Sequence, residues 1–318
     1  MNASEMQWRE EGGEALGAPC LVSVIIPVRD GAMVIGDQLE ALSGQSFSGS
    51  WEVVVADNGS TDRTRAVVES FSGRLPGLRI VDAGARRGPS HARNVGAREA
   101  AGDVYLFVDA DDVVAPGWLQ AMVLALAHAD AVVSTDQPVD RKDSSRTSFR
   151  RAAAKWAWGR GGNLGIRSEI FATLRGWDEQ RRTGEDVEFC LRLQREGYRL
   201  DIAPEAKVHY RAPADLRSLA RQRFEFGSAA PELYEKFDID SQFLRTTARD
   251  LTWMATRSPY ILCGSRLRGR WVAFSAGLMG RLWGELMLRR PRFGPNEGGW
   301  STSRRHRGET GTEDSAER

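Results

Sequence analysis

Val104-Tyr105-Leu106-Phe107-Val108 runs directly into Asp109-Ala110-Asp111-Asp112, so a short apolar segment delivers three carboxylates to one point of the chain. Such a cluster is either a solvated acidic turn or a hard-oxygen site for a divalent cation. Asp109 and Asp111 are two residues apart, and in extended backbone their side chains would project to the same side. Carboxylates placed that way suit Mg²⁺ or Mn²⁺, which proteins usually hold with one or two carboxylates plus the oxygens of a substrate diphosphate. Further groups stand at intervals on either side: Pro27-Val28-Arg29-Asp30, Asp57-Asn58-Gly59-Ser60-Thr61-Asp62, and Arg87-Gly88 with Ala92-Arg93-Asn94. A carboxylate such as Asp57 can accept a hydrogen bond from a base N–H, and a guanidinium beside a helix start can meet base or phosphate. Together they describe a site for a nucleoside diphosphate. If that diphosphate departs, the cation stabilises the charge it develops, and an attacking hydroxyl needs one positioned carboxylate as general base.

The elements that must position these residues follow from the pattern of apolar runs. From Leu21 to about Ser134, β-rich runs near 22–26, 52–56, 78–81, 104–108 and 131–134 alternate with amphipathic stretches near 34–43, 62–72, 89–100 and 116–128. This alternation is the signature of an α/β domain with a mostly parallel central sheet flanked by helices. Continuous apolar runs belong to strands buried on both faces, whose C-terminal ends carry the ligand crevice. Ser60-Thr61-Asp62 supplies N-cap candidates for the second helix, and Pro116 suits the first turn of the fourth. A polar stretch, Asp140 to Ser148, reads as a mobile loop. A second αβ layer then resumes with Gly161-Gly162-Asn163-Leu164-Gly165-Ile166, a helix from Glu185 to Glu196, and a short strand near Leu200 to Ala203. Thr183-Gly184-Glu185-Asp186 fits a capping box at the start of that helix.

Composition removes several function classes. Lys plus Arg is 44 against 43 Asp plus Glu, a net charge of +1, so no global field draws nucleic acid. Cys20, Cys190 and Cys263 form no C-x-x-C pair, which fits a reducing compartment. Met1 to Pro19 lacks the pattern of a signal peptide, and no apolar run approaches the ~20 residues of a membrane span. The expected location is the cytoplasm. Residues 266–292 carry seven arginines against one acid, Glu285, around Trp271, Phe274, Leu278, Met279, Leu282, Trp283, Leu286 and Met287. A basic amphipathic helix of this kind fits peripheral contact with the inner face of a membrane, or packing on the protein's own body.

Taken in order, these motifs resemble the family 2 glycosyltransferases, which have the GT-A fold. The matching pieces are Val24-Ile25-Ile26-Pro27-Val28, Val54 to Asp62, Gly88 with Ala92-Arg93-Asn94, Phe107 to Asp112, Gly176-Trp177-Asp178-Glu179, Gly184-Glu185-Asp186 and His209. The resemblance implies a flexible N-terminus (1–20), a GT-A domain (21–230), a helical C-terminal extension (231–292) and a disordered tail (293–318). It implies a UDP- or GDP-sugar donor bound by Pro27, Val28, Asp57, Arg93 and Asp109. Asp111 and His209 would hold Mg²⁺ or Mn²⁺, and Asp186 would be the base of an inverting transfer. The acceptor would be a glycan, a lipid-linked sugar or a small molecule, in cell-surface glycan or glycolipid synthesis. Arg221-Gln222-Arg223-Phe224 does not reproduce the Gln-x-x-Arg-Trp motif of the family's processive synthases, so single additions are expected.

Two other readings compete. Phe107-Val108-Asp109-Ala110-Asp111-Asp112-Val113 also fits the motif of haloacid-dehalogenase-like phosphatases, with Asp109 as nucleophile and Asp111 as acid/base, although some eighty residues of α/β sequence precede it. A GT-A protein that binds nucleotide without catalysis is the other. A dinucleotide oxidoreductase is disfavoured, because no G-x-G-x-x-G follows the first strand.

Overall fold

The computed structural model describes residues 21–138, 150–152, 156–211, 213, 215–239, 243–261 and 265–289. Its strands are β1 (Val22–Val28), β2 (Trp51–Asp57), β3 (Arg79–Asp82), β4 (Val104–Val108), β5 (Val113–Val114), β6 (Ala131–Pro138), β7 (Arg150–Ala152), β8 (Trp156–Trp158), β9 (Asn163–Arg167) and β10 (Leu200–Tyr210). Its helices are α1 (Ile35–Ser43), α2 (Thr64–Glu69), α3 (Pro89–Glu99), α4 (Trp118–Leu126), α5 (Ser168–Thr173), α6 (Glu185–Arg195), α7 (Leu216–Lys236), α8 (Phe243–Thr256) and α9 (Ser265–Leu288).

Eight strands form one sheet in the order β3-β2-β1-β4-β9-β6-β10-β5, while β7 and β8 pair separately. The first four are parallel, as is β6 with β10. β9 runs antiparallel to both β4 and β6, and β5 runs antiparallel to β10. The sheet is therefore mixed where the chain re-enters it. β9 falls in the Gly161-to-Ile166 segment where the αβ pattern was expected to resume, although Gly165 interrupts its β-rich run; a Cβ there would lie 2.8 Å from Leu106 and 3.1 Å from Met122. β10 extends seven residues beyond the expected Ala203, across an irregularity between Ala203 and Lys207.

The sheet's apolar runs are continuous because both faces are covered. Val24, Ile26, Val53, Val55 and Leu106 face one core with Leu39, Trp118, Leu119 and Met122. Ile25 and Phe107, one residue out of phase, face a second core with Ile166, Phe171, Trp177 and Phe189. In that second core Trp177 stands edge-on to Phe107 at 5.4 Å and stacks on Phe189 at 4.5 Å, giving a rigid floor beneath the end of β4.

Three local expectations differ. Pro116 lies before α4, whose N-cap is Gly117 at φ 78°. α2 begins at Thr64, and the Asp62 carboxylate accepts from the Thr64 N–H at 2.9 Å without being the N-cap. α6 is capped by Gly184 at φ 73° with no side-chain cap, so the capping-box reading of Thr183 to Asp186 fails and leaves Asp186 free for other work. The segments 1–20, 140–148 and 293–318 lie outside the described residues.

α7 joins the sheet domain to the C-terminal helices. Leu233 and Phe237 pack against Leu191 of α6, and Lys236 donates at 2.9 Å to Glu188, whose carboxylate is buried. α9 lies directly against α7: a Cβ on Gly280 or Gly284 would strike the carbonyl oxygens of Phe224 and Ser228. Among the described residues no helix is long and apolar enough to cross a membrane.

Candidate active site

The parallel register places Val28 beside Asp57, so the loops after β1 and β2 leave the sheet together. They interlock. Asp30, at φ 49°, accepts from the Thr61 N–H at 2.8 Å, its own N–H donates to Ser60 at 3.0 Å, and the Ala32 N–H donates to Asp62 at 3.0 Å. Asp57 is buried and accepts from the Ser60 N–H at 2.8 Å and from Arg65 Nε at 2.6 Å. Burial would raise its pKa, but the Ser60 and Arg65 contacts outweigh it and hold the carboxyl below the usual range. A base N–H reaching Asp57 would compete with Arg65, a half-exposed side chain the sequence did not single out. Asn58 uses both ends of its side-chain amide. Its amide donates to the carbonyls of Ala83 (2.6 Å) and Arg86 (2.7 Å) while its oxygen accepts from the Gly88 N–H (2.9 Å). A carboxylate could not donate either of the first two bonds.

Arg93 is the hub. It projects from α3, is 4% exposed, and lies over the Trp177 ring at 5.1 Å. Nη2 donates to Asp109 at 2.8 Å and Nη1 to Glu185 at 3.2 Å. One buried guanidinium thus ties the turn after β4 to the N-terminus of α6. The turn itself differs from expectation: Asp112 N–H donates back to the Asp109 carbonyl at 3.4 Å, so Asp109 and Asp111 sit on a turn and not on extended backbone.

The three carboxylates of that turn have separate environments. Asp109 pairs with Arg93 and, at 3.4 Å, with Arg160; burial alone would raise its pKa, but the two guanidiniums pull it down. Asp111 keeps much of its surface open to solvent, and the partial desolvation of its carboxyl together with the Asp109 charge raises its pKa. Asp112 is fully buried, lies 3.3 Å from Arg160 and accepts from the Arg211 N–H at 3.4 Å. Burial, reinforced by Asp109 and Asp111 against the pull of Arg160, pushes it up to about 8. Asp112, without a role in the sequence reading, fastens the end of β10 to the turn.

That fastening bears on His209. β10 pairs with β5 so that His209 stands opposite Val113, two residues beyond Asp111. Among the described residues no three His, Cys, Asp or Glu side chains are grouped to hold a metal alone. The donor set nevertheless fits a partial shell. Asp111 carries like-charge repulsion that a divalent cation relieves, and the rest of the coordination is left for substrate oxygens. As donor types, a carboxylate and an imidazole together suit Mn²⁺ better than Mg²⁺.

Asp186 follows Glu185 at the start of α6. Its Oδ1 accepts from the Val187 N–H at 2.8 Å. Burial and the neighbouring Glu185 charge push it up to about 6, against the pull of Arg93 and Arg160. A carboxylate with that affinity is ionised at neutral pH yet basic enough to take a proton from a hydroxyl.

Sequence reasoning missed several contributors. Arg160, between Gly159 and Gly161, bridges Asp109 and Asp112 and stacks on Tyr210 at 4.1 Å, whose hydroxyl accepts from Gln222 at 3.2 Å. An arginine among glycines ahead of a strand was the available signal. Gly162 presses on Asp109: a Cβ there would occupy the carboxylate's place. Asn94 pairs with the Trp177 peptide in both directions at 2.9 Å and donates to Glu179 at 2.9 Å, which also holds His91 at 2.8 Å. These bonds dock the Gly176-to-Glu179 motif on α3 and leave it scaffolding Arg93.

The family model described as "Glycosyl transferase family 2" matches residues 23–196, more than half of the chain. The chain belongs to glycosyltransferase family 2. Among curated proteins, the probable glycosyltransferase YdaM of Bacillus subtilis is 28% identical over 253 residues, covering 73% of this chain and 59% of that protein. The pre-mycofactocin glycosyltransferase of Mycobacterium tuberculosis is 28% identical over 228 residues, covering 66% and 47%. The chain thus spans about half the length of these relatives. The mannosyltransferase PcManGT of Pyrobaculum calidifontis, solved with GDP-Man and Mn²⁺, superposes with a TM-score of 0.63 at 21% identity, covering 90% of this chain and 94% of that one. The architecture is the GT-A fold with a helical C-terminal part. Family membership and the ion-paired state of both Asp109 oxygens set aside the phosphatase reading, which needs Asp109 as a free nucleophile.

Proposed function

We propose that this family 2 glycosyltransferase moves one sugar from a nucleotide-diphosphate donor to an acceptor hydroxyl with inversion at the anomeric carbon. One observation carries the reading: Arg93 grips Asp109 of the carboxylate turn and Glu185 beside Asp186 with the two ends of a single buried guanidinium. A cation-and-diphosphate station and a general base are thereby held in fixed relation, as a single displacement requires. Pro27, Val28, Asp57, Arg93 and Asp109 bind the donor nucleotide, with Arg65 yielding Asp57 to the base. Asp111 and His209 hold the divalent cation, Mn²⁺ before Mg²⁺, whose charge when bound stabilises the departing diphosphate. Arg160 adds a second positive charge on the same side. Asp186 accepts the acceptor's proton.

The PcManGT complex with GDP-Man and Mn²⁺ supports both a nucleotide-sugar donor and a divalent cation. The acceptor class is a glycan, a lipid-linked sugar or a small molecule, and the setting is cell-surface glycan or glycolipid synthesis on the cytoplasmic side. A hydrolysis screen over UDP- and GDP-sugars tests the reading, because transferases turn such donors over slowly without acceptor. Release of nucleoside diphosphate from one donor, dependent on Mn²⁺ or Mg²⁺, is the expected result; release from none overturns it.

A further inference from the structure

Among the described residues, the C-terminal helices bury one part of their apolar surface and leave another without a partner. On α9, Gly277, Gly280 and Gly284 face α7. Trp271, Phe274, Leu278 and Arg281 form a second direction, most of it towards α8: Trp271 Nε1 donates to the Met254 carbonyl at 3.2 Å, Phe274 meets Trp253 at 4.1 Å, and Arg281 pairs with Asp250 at 2.7 Å. Met279, Trp283 and Leu286 share a third face. Their spacing of four and three residues makes one stripe, turned away from both neighbouring helices. They are 57%, 49% and 54% exposed. Arg268, eleven residues before Met279 and so about three helical turns away, continues the stripe and is exposed. Arg289, exposed, lies at its edge near the C-terminal end, whereas Arg270 is on the opposite side of the helix.

Charge decides what covers this face. Residues 266–292 hold seven arginines and one acid, Glu285, and Glu285 is already paired with Arg289 at 2.6 Å. A second copy of the chain would bring like charge against like charge across an apolar strip. An anionic bilayer offers the opposite: phosphates for the arginines and a headgroup boundary where tryptophan and methionine are stable. We propose that the outer face of α9 seats on an anionic lipid surface, with Met279, Trp283 and Leu286 inserted and Arg268 and Arg289 meeting lipid phosphates. The docking stands on the helix geometry and its charge and does not depend on the donor or base assigned above.

Sedimentation with vesicles tests it, using phosphatidylcholine alone and phosphatidylcholine mixed with phosphatidylglycerol. The full chain is expected to sediment with the mixed vesicles, less so as salt rises, and to stay in the supernatant with neutral ones. The triple variant Met279→Ser/Trp283→Ser/Leu286→Ser should partition about tenfold or more weakly while keeping the wild-type circular dichroism spectrum. Trp283→Ser alone should fall between the two, which keeps the test open if the triple variant misfolds. Failure of the wild type to bind mixed vesicles, equal binding to neutral vesicles, or unchanged binding by Trp283→Ser would each overturn the proposal. So would light scattering that shows a wild-type dimer which Trp283→Ser converts to monomer.

Discussion

Replacing Asp186 by Asn separates catalysis from folding and does so with opposite signs. The side chain is partly buried beside Glu185, which pushes its pKa up to about 6. A carboxyl raised above its unfolded value carries its proton in both states at low pH and costs the folded state nothing there. As pH rises past the unfolded pKa the unfolded chain ionises first, and the cost is complete only above the folded pKa. The gap from an ordinary aspartate is worth about 3 kcal/mol at full ionisation, and partial exposure screens that to about 1–2 kcal/mol. Asn keeps an oxygen to accept from the Val187 N–H and never ionises. Asp186→Asn should therefore melt about 2–8 °C above wild type at pH 8, with the difference closing towards pH 4. The same variant should lose about 10²–10⁴-fold in transfer while retaining donor binding, and wild-type transfer should fall as pH drops through about 6. Thermal melts at the two pH values, run beside a transfer assay, check both arms. An equal melting difference at pH 4 and pH 8, or transfer that survives the substitution, would refute the reasoning.

Gly162→Ala should cut transfer sharply, because the added methyl must displace the Asp109 carboxylate, and strain of this kind costs about 1–3 kcal/mol of stability; a chemical melt and a transfer rate read the two effects. Arg93→Met leaves Asp109 and Glu185 facing a site with their shared partner gone, and breaking a buried ion pair from one side lowers unfolding free energy by about 3–5 kcal/mol in urea titration. Arg65→Ala removes the competitor for Asp57, and since an ion pair whose cation is half-exposed is screened to about 0.2–1 kcal/mol, nucleotide affinity by calorimetry should rise up to about fivefold.

The frame of the site was legible because its residues stand at strand ends. The apolar runs of β1, β2 and β4 mark themselves, and the polar residues that follow Val28, Ala56 and Val108 fall on one edge of the parallel strands. Arg160 and Gly162 were not legible, because they reach Asp109 through the antiparallel insertion of β9, a five-residue strand whose pattern is broken by Gly165. Geometry within the turn was misjudged for a local reason: Asp109 to Asp112 closes a backbone hydrogen bond, and alternation holds only in extended chain. The capping-box pattern of Thr183 failed because Gly184 takes the left-handed conformation that starts α6. The apolar residues of α9 were expected to form one face, whereas contact with α7 and α8 divides them between buried and outward sides.

The central claim is that the Asp109-to-Asp111 turn receives a nucleoside diphosphate through a divalent cation. Calorimetric titration of UDP and GDP into the full chain, with Mn²⁺ and with chelator, tests it most directly when repeated on Asp111→Asn. The account predicts binding of one nucleotide that requires Mn²⁺ and is lost in the variant. Nucleotide binding of equal strength with chelator, or undiminished in Asp111→Asn, would contradict it.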